Sequence, residues 1–190
     1  MVILCLGQEV ECVGAQIAVV VAISEAIANE ASALVTVEYE DIGKVPITNI
    51  QQAIEQRSFY KAIYPIHQGN ADDALDTAAY RAKGHLSAGG QYHFYMEAQS
   101  AVASVEDGQY VTVICGTQNP VLYQSHIAAI LDVPMNNVIV KCPRTGGGFG
   151  GKLTSGIPVS GAAALCANKL GRSVRIFNSR TSDMEQQCKL

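Results

Sequence analysis

The spacing of apolar and polar positions changes several times along this chain, and each change predicts a different element. Residues 17–22 form a continuous apolar run rich in β-branched side chains, which predicts a buried strand. Ser24 follows as the N-cap of a predicted helix over residues 25–34, and residues 35–39 read as a second strand. The first part of the chain therefore predicts a strand, helix, strand packing unit.

A capping box closes this first section. Thr48 and Gln51 have the spacing in which a hydroxyl and an amide satisfy each other's backbone N–H groups, which predicts a short helix to about Arg57. From residue 62 to 76 the apolar pattern weakens and is interrupted by proline, glycine and asparagine. We place a domain boundary there, so that residues 1–61 and 62–190 are separate domains.

Short strands dominate the next section. The patterns over residues 79–86, 91–105 and 109–116 predict strands, separated by a Ser-Ala-Gly-Gly segment and an Asp-Gly turn. Connections this short favour antiparallel pairing.

Helices then alternate with strands to the end of the chain. Asn119 precedes Pro120 at the start of a predicted helix that runs to about Leu131, because proline is favoured in the first helical turn. A strand over residues 137–142, a helix of small residues over 156–170 and a strand over 173–177 complete the prediction. The small residues predict close packing of that last helix.

Composition excludes several classes of protein. Of the 190 residues 48% are hydrophobic and 16% are charged, which is typical of a globular protein. The net charge is −4 and no cluster of lysine and arginine is present, so we expect neither a nucleic-acid partner nor a membrane partner. No basic leader precedes an apolar core at the start, and no pair of the six cysteines has metal-site spacing. We expect reduced thiols and a cytoplasmic location.

The run Gly146-Gly147-Gly148-Phe149-Gly150-Gly151-Lys152 carries the strongest chemical signal. Glycines leave the backbone uncovered, so the run predicts a loop whose N–H groups face an anionic or oxo-bearing ligand. It fits the dinucleotide pattern G-x-G-x-x-G, but the carboxylate expected about 20 residues later is missing. It also fits G-x4-G-K of a P-loop, but Leu153 stands where a hydroxyl should hold magnesium. A tight turn without a ligand is the simplest alternative, although one glycine would be enough for it.

Three segments in order identify a family. They are His93-Phe94-Tyr95-Met96-Glu97, then Gly116-Thr117-Gln118-Asn119, then Arg144-Thr145 followed by the glycine run. In that order the chain resembles the molybdenum hydroxylases, the xanthine dehydrogenase and aldehyde oxidase family. The resemblance implies an α+β fold, in which the end of a hammerhead-like α/β domain precedes the first part of a molybdopterin-binding domain. It covers only a small part of a full member, so we expect an internal fragment.

The resemblance implies roles for a few residues. It directs the Gln118 amide toward the oxo ligand of molybdenum and places Gly148, Phe149 and Gly150 beside the molybdopterin cofactor. Gln118 and Phe149 would thus contact the molybdenum cofactor without being metal ligands. Glu97 reads better as a structural hydrogen-bond acceptor than as a base, since the catalytic base of the family lies downstream of this chain. The molybdopterin site here is therefore partial, and FAD and two 2Fe-2S clusters are expected in missing domains.

Leu153 suggests the substrate. Xanthine dehydrogenases place a glutamate at this position to bind purines, whereas aldehyde oxidases have an apolar residue there. The resemblance thus favours a homodimeric parent that oxidises aldehydes to carboxylic acids with oxygen from water, its small-molecule substrate being an aldehyde or an N-heterocycle. Two other hypotheses stay open: a xanthine dehydrogenase that hydroxylates purines, and a stand-alone nucleotide-binding or interaction module. Because the base and the electron-transfer domains are missing, we expect the isolated chain to be inactive.

Overall fold

The computed structural model of the protein describes residues 7–10, 12–61, 64 and 66–186. The chain divides into two compact units. One combines the residues up to 34 with those from 89 onward, and the other contains residues 35–88. The predicted domain boundary near residue 62 does not coincide with a limit of either unit and stays a prediction.

A four-stranded mixed sheet forms the centre of the first unit. Its strands are β1 (Ser100–Glu106), β2 (Tyr110–Cys115), β3 (Val138–Lys141) and β4 (Val174–Phe177). Their order in the sheet is β3, β2, β1, β4. β1 pairs antiparallel with both β2 and β4, whereas β2 and β3 are parallel. The antiparallel β1–β2 hairpin, with its Asp107-Gly108 turn, and the two later strands confirm the predictions for this section.

Two helices cover one face of the sheet. They are α4 (Pro120–Leu131) and α5 (Ile157–Leu170), and together with the inward side chains of the strands they form the apolar core. Asn119 caps α4 as predicted, its side chain accepting the N–H of Leu122 at 3.1 Å. At Gly161 on α5 a Cβ atom would lie 2.5 Å from Ile130 Cδ1, so the small residue is what lets the two helices approach. These elements confirm the predicted α+β class with a mixed sheet and packed helices.

The other helices are short and expose most of their surface. α1 (Glu25–Ala33) is capped by Ser24 as predicted, whereas α6 (Arg180–Gln186), which was not predicted, follows β4 at the end of the described chain. Two predicted strands in the first section are wrong. Residues 17–22 contribute only a single bridge residue, Ala18, and residues 35–39 form no strand. Without partner strands, an apolar run cannot satisfy its backbone groups as a strand.

Residues 35–88 contain α2 (Ile50–Glu55) and α3 (Ala71–Thr77). The predicted capping box is shifted by one residue: Asn49 caps α2 by accepting the N–H of Gln52, and the Gln52 side chain accepts the N–H of Thr48. Asn70 caps α3, a helix that the sequence pattern missed. Residues 79–86 form no strand, and none of the described residues of this unit is buried.

The cysteines and the helix lengths bear on two further expectations. Cys115, Cys142 and Cys166 carry free thiols. Burial raises the pKa of the Cys115 and Cys166 thiols, which keeps them protonated. Over the described ranges, no helix is both long and apolar enough to cross a membrane.

Candidate functional site

Four segments that are distant in sequence meet at one end of the strands, which we call the loop edge. Residues 93–99 enter β1, residues 116–119 leave β2, residues 142–156 leave β3, and residues 178–183 leave β4. Because β1 runs opposite to its neighbours, its entry lies at the same edge as the exits of the others. The three segments that carry the family resemblance are therefore brought together. Residues 91–99 were predicted as part of a strand, and that prediction is wrong, since pairing begins at Ser100.

The glycines of the run are required by the protein's own packing. A Cβ atom at Gly146 would lie 2.5 Å from the Glu97 Cβ, one at Gly148 would lie 2.7 Å from Gln118 Oε1, and one at Gly151 would lie 2.7 Å from Tyr95 Cε1. Such distances leave no room for a side chain. The run was predicted to leave its backbone open to a ligand, but much of that space is filled by residues of this chain.

The remaining glycines serve the backbone conformation. Gly147 and Gly150 have φ angles of +90° and +96°, in the left-handed region that side chains disfavour. Phe149 between them also has a positive φ of 51° while its side chain is 74% exposed. A non-glycine residue held in this region is uncommon and is found where surrounding contacts enforce it. Surrounding contacts thus fix the backbone conformation at the tip of the loop.

Most backbone N–H groups of the loop are already used. Glu97 accepts the N–H of Gly146, and Gln118 Oε1 accepts those of Gly150 and Lys152 at 3.0 and 3.2 Å. The N–H groups of Gly151 and Leu153 close local turns. In the part of the chain that the structure describes, the N–H groups of Gly147, Gly148 and Phe149 have no acceptor. The N–H donors that remain available to a ligand are therefore those of Gly147, Gly148 and Phe149.

Gln118 is held by its carbonyl and not by its amide. Its backbone N–H donates to the Lys152 carbonyl at 3.0 Å, and its side-chain oxygen receives the two loop N–H groups. Among the described residues, no acceptor lies within hydrogen-bond distance of its Nε2 group. Because both acceptor positions of Oε1 are taken, the fixed amide leaves two N–H donors for a ligand beside Gly148. Asn119, next in sequence, is the cap of α4 and keeps this segment in place.

An ion pair whose ammonium is buried lies under the loop. The Lys152 side chain is 1% exposed, and its Nζ is 2.6 Å from Glu97 Oε2 and 4.8 Å from the centre of the Tyr95 ring. Burial alone would raise the pKa of Glu97, but the hydrogen bonds from Lys152 and from the Gly146 N–H, with the lysine charge, lower the pKa below its ordinary value. Glu97 is thus a structural acceptor, as predicted.

Further buried polar residues fix the segment before β1. Gln99 Nε2 donates to the Tyr95 hydroxyl and to the Gly151 carbonyl, and the Gln99 backbone N–H donates to Asp183. Burial and the nearby Asp183 carboxylate raise the pKa of Tyr95, so this phenol stays neutral. Arg180 donates to the Tyr95 and Met96 carbonyls at 2.7 and 2.9 Å. These contacts connect the end of β4 to the glycine loop.

Sequence reasoning missed most of this network. Lys152 was noted only as the last residue of the glycine run, and Gln99, Arg180 and Asp183 carried no motif. The i, i+3 spacing of Arg180 and Asp183, whose charged groups lie 3.7 Å apart, was the one local signal available.

The two nucleotide-binding alternatives do not fit this geometry. In both motifs the glycine loop leads directly into a helix whose first N–H groups bind phosphate. Here α5 begins at Ile157, after a stretch of turns. The Lys152 ammonium is also paired with Glu97 beneath the loop and not presented to a ligand. Leu153, in contrast, is 44% exposed next to the loop.

Comparison with known proteins agrees with this geometry. Residues 54–189 match the model of the molybdopterin cofactor-binding domain. The chain belongs to this family. The predicted resemblance to xanthine dehydrogenases and aldehyde oxidases is thereby confirmed.

Both branches of the family are represented among the relatives of this molybdopterin cofactor-binding chain. Xanthine dehydrogenase from Drosophila pseudoobscura pseudoobscura is 39% identical over 178 residues, which cover 93% of this chain. Aldehyde oxidase 1 from Oryctolagus cuniculus is 40% identical over 179 residues, which cover 94% of it. The chain spans only 13% of the length of each of these proteins.

A solved structure of the family has the same fold. Quinoline 2-oxidoreductase from Pseudomonas putida 86 matches 85% of this chain and 21% of its own with a TM-score of 0.69, at 28% identity. Most of this chain therefore has the fold found in that solved oxidoreductase.

Proposed function

We propose that this chain is an internal part of a molybdenum hydroxylase whose parent oxidises aldehydes to carboxylic acids with oxygen from water. The observation that carries the proposal is the Gln118 amide, which the loop holds by its oxygen so that its two N–H donors are left for a ligand. The N–H groups of Gly147, Gly148 and Phe149 lie in the same loop. Oriented donors of this kind stabilise oxygen atoms on which negative charge develops.

The donor set suits a molybdopterin cofactor, which when bound supplies a redox-active molybdenum centre for hydroxylation with water-derived oxygen. Gln118 would donate from Nε2 to an oxygen on that centre without ligating the metal. Gly148 and Phe149 would donate backbone N–H groups to the cofactor. Gly150 was also expected beside the cofactor, and its N–H supports the site indirectly by binding Gln118 Oε1.

The rest of the proposal concerns the parent protein. FAD and two 2Fe-2S clusters would lie outside this chain and would carry electrons away from the site. The parent would be a cytoplasmic homodimer acting on small molecules, and the general base would also lie outside residues 1–190. Each of these points extends the family resemblance.

Leu153 supports aldehydes over purines. Its exposed side chain beside the loop offers apolar surface, and burying a methylene against it contributes roughly 0.8 kcal/mol. A purine that finds no carboxylate there loses a hydrogen bond to a charged group worth about 1.5–3 kcal/mol, or about ten- to a hundredfold in rate.

Metal analysis and substrate comparison test the proposal on the full-length protein. We expect molybdenum in the active protein, and preparations active without molybdenum would contradict the proposal. Leu153→Glu should raise the ratio of purine to aldehyde turnover about ten- to a hundredfold. Leu170→Glu is the matched control, because Leu170 is similarly exposed at the far end of α5. An unchanged ratio in Leu153→Glu would exclude Leu153 as a selector, and purine preference in the unaltered protein would favour a xanthine dehydrogenase.

A further inference from the structure

Lys152 is the least exposed charged residue of the described chain, and the proposed chemistry gives it no role. Its side chain is buried beneath the glycine run while the run itself curves around Gln118. A lysine is almost never fully buried unless it is paired, because removing an ammonium from water costs several kcal/mol. Glu97 Oε2, at 2.6 Å, is the carboxylate that compensates this cost.

The same carboxylate oxygen also binds the start of the loop. Glu97 Oε2 accepts the Gly146 N–H at 2.9 Å, and the Glu97 N–H donates to the Gly146 carbonyl at 3.3 Å. Glycine is needed at Gly116 as well, since a Cβ there would lie 2.7 Å from Glu97 Oε2 and 3.2 Å from Lys152 Nζ. The Glu97–Lys152 pair therefore occupies space that is free because Gly116 and Gly146 have no side chains.

The backbone of Lys152 holds Gln118. The Lys152 carbonyl accepts the Gln118 N–H at 3.0 Å, the Thr117 hydroxyl at 3.2 Å and the Tyr123 hydroxyl at 3.2 Å. The Lys152 N–H in turn donates to Gln118 Oε1 at 3.2 Å. Burial raises the pKa of Tyr123 to about 12, so its hydroxyl stays a donor. Lys152 thus connects its ion pair with Glu97 to both the backbone N–H and the side-chain oxygen of Gln118.

We propose that Glu97 and Lys152 are positioning residues, which hold the loop from Gly146 to Lys152 and orient the Gln118 amide toward the cofactor. Glu97 fixes the first residue of the loop and the ammonium of the last. Through its backbone, that last residue fixes Gln118. The inference rests on the proposed function for what Gln118 contacts, but the holding of the loop is a property of this chain alone.

The first experiment measures the loop without reference to the cofactor. Hydrogen exchange of the peptide covering the glycine run is compared among the unaltered full-length protein, Glu97→Gln and Lys152→Met. Both variants should speed exchange of that peptide about ten- to a hundredfold, because Glu97→Gln leaves the buried Lys152 ammonium without its carboxylate and Lys152→Met removes the cation that Glu97 binds. Glu25→Gln is the matched control: it removes a carboxylate from the Glu25–Arg175 pair at 2.5 Å, whose side chains are 57% and 62% exposed. We expect no change there.

The second experiment asks whether the pair acts through Gln118. The rate of molybdenum loss during dialysis is measured for Glu97→Gln, Gln118→Ala and the double variant. If Glu97 acts by orienting Gln118, the double variant should lose molybdenum no faster than Gln118→Ala alone. A structural role unrelated to Gln118 predicts that the two single effects multiply.

The outcomes separate the two proposals. Exchange in Glu97→Gln that matches Glu25→Gln would overturn the positioning role, and so would multiplying effects in the double variant. Faster exchange in a protein that contains no molybdenum would instead contradict the proposed function and leave the holding of the loop intact. If Glu97→Gln does not fold, Glu97→Asp keeps the charge but shortens its reach. It should give a smaller acceleration of the same peptide, and none would count against the proposal.

Discussion

The apolar core against the sheet and the polar network under the glycine run both contain fully buried side chains, but these side chains are held in different ways. Val113, Ile127 and Ala163 in the core are 0% exposed, and Lys152 and Asp183 in the network are 0% and 2% exposed. Core contacts are non-directional and depend on filled volume. Network contacts depend on each donor meeting its acceptor, since an unpaired buried polar group costs about 1–3 kcal/mol. A substitution is therefore costly in the core through lost volume and in the network through lost partners.

The largest expected effect is in the core. Ile127→Ala should lower the free energy of unfolding of the sheet region by about 2–5 kcal/mol, because it leaves a cavity in the apolar core. Hydrogen exchange of peptides from β2 and β3 measures this loss. Ile54→Ala is the control: Ile54 also lies on a helix but is 50% exposed, so its replacement should change the same peptides by less than about 0.5 kcal/mol. Equal effects would mean that the core is not where the structure places it.

A smaller effect is expected where the loop meets Gln118. Gly148→Ala places a Cβ 2.7 Å from Gln118 Oε1, so the side chain or the loop must shift, at a cost of about 1–3 kcal/mol. The expected result is faster exchange of the Gly150 and Lys152 amides with the sheet unchanged. Gly84→Ala is the control, since a Cβ there meets no atom within 4 Å. Unchanged exchange in Gly148→Ala would contradict the close packing of Gln118 on the loop.

The smallest effect is expected when the pH is lowered. The pKa of Glu97 is lower in the fold than its ordinary value of 4.5, so the stabilisation from its carboxylate is fully present above pH 4.5 and is lost as the pH falls through the lowered pKa. The protection of the glycine-run peptide, which is its exchange rate relative to that of an unstructured peptide at the same pH, should therefore fall below pH 4.5 in the unaltered protein. Glu97→Gln lacks this titration, so the pH-dependent part should be absent from it. The same acid response in both proteins would assign the effect to other carboxyl groups.

Local signals in the sequence predicted the sheet and its two helices well. Asn119 before Pro120, the Asp107-Gly108 turn and the small residues of α5 each act within a few positions of the element they define. Propensity, capping and turn chemistry therefore agree with the final structure there.

Predictions failed where distant contacts decide the backbone. Residues 91–99 alternate like a strand, yet Tyr95 and Gln99 are fixed by Gly151 and Asp183, more than 50 positions away in sequence. The glycine run was predicted to be a site because glycines leave the backbone uncovered, which is only part of why glycine stands at these positions. Its glycines accommodate Glu97, Gln118 and Tyr95, and such contacts cannot be read from spacing along one chain. Gln118 was predicted through the family resemblance, whereas the N–H groups that hold its side chain come from residues more than 30 positions away in sequence.

The strand order has a consequence for the time at which the loop edge can form. β1 lies inside the sheet and pairs with β4, the last of the described strands in sequence, while β3 lies at the opposite edge of the sheet. Contacts between segments 93–99 and 178–183 close a chain of more than 80 residues, and closures of that length are slow steps in folding. The contacts of residues 178–183 with residues 93–99 therefore form only after β4 has docked. A chain whose β4 segment is still inside the ribosome lacks these contacts, so any ligand that depends on them binds after this segment has folded.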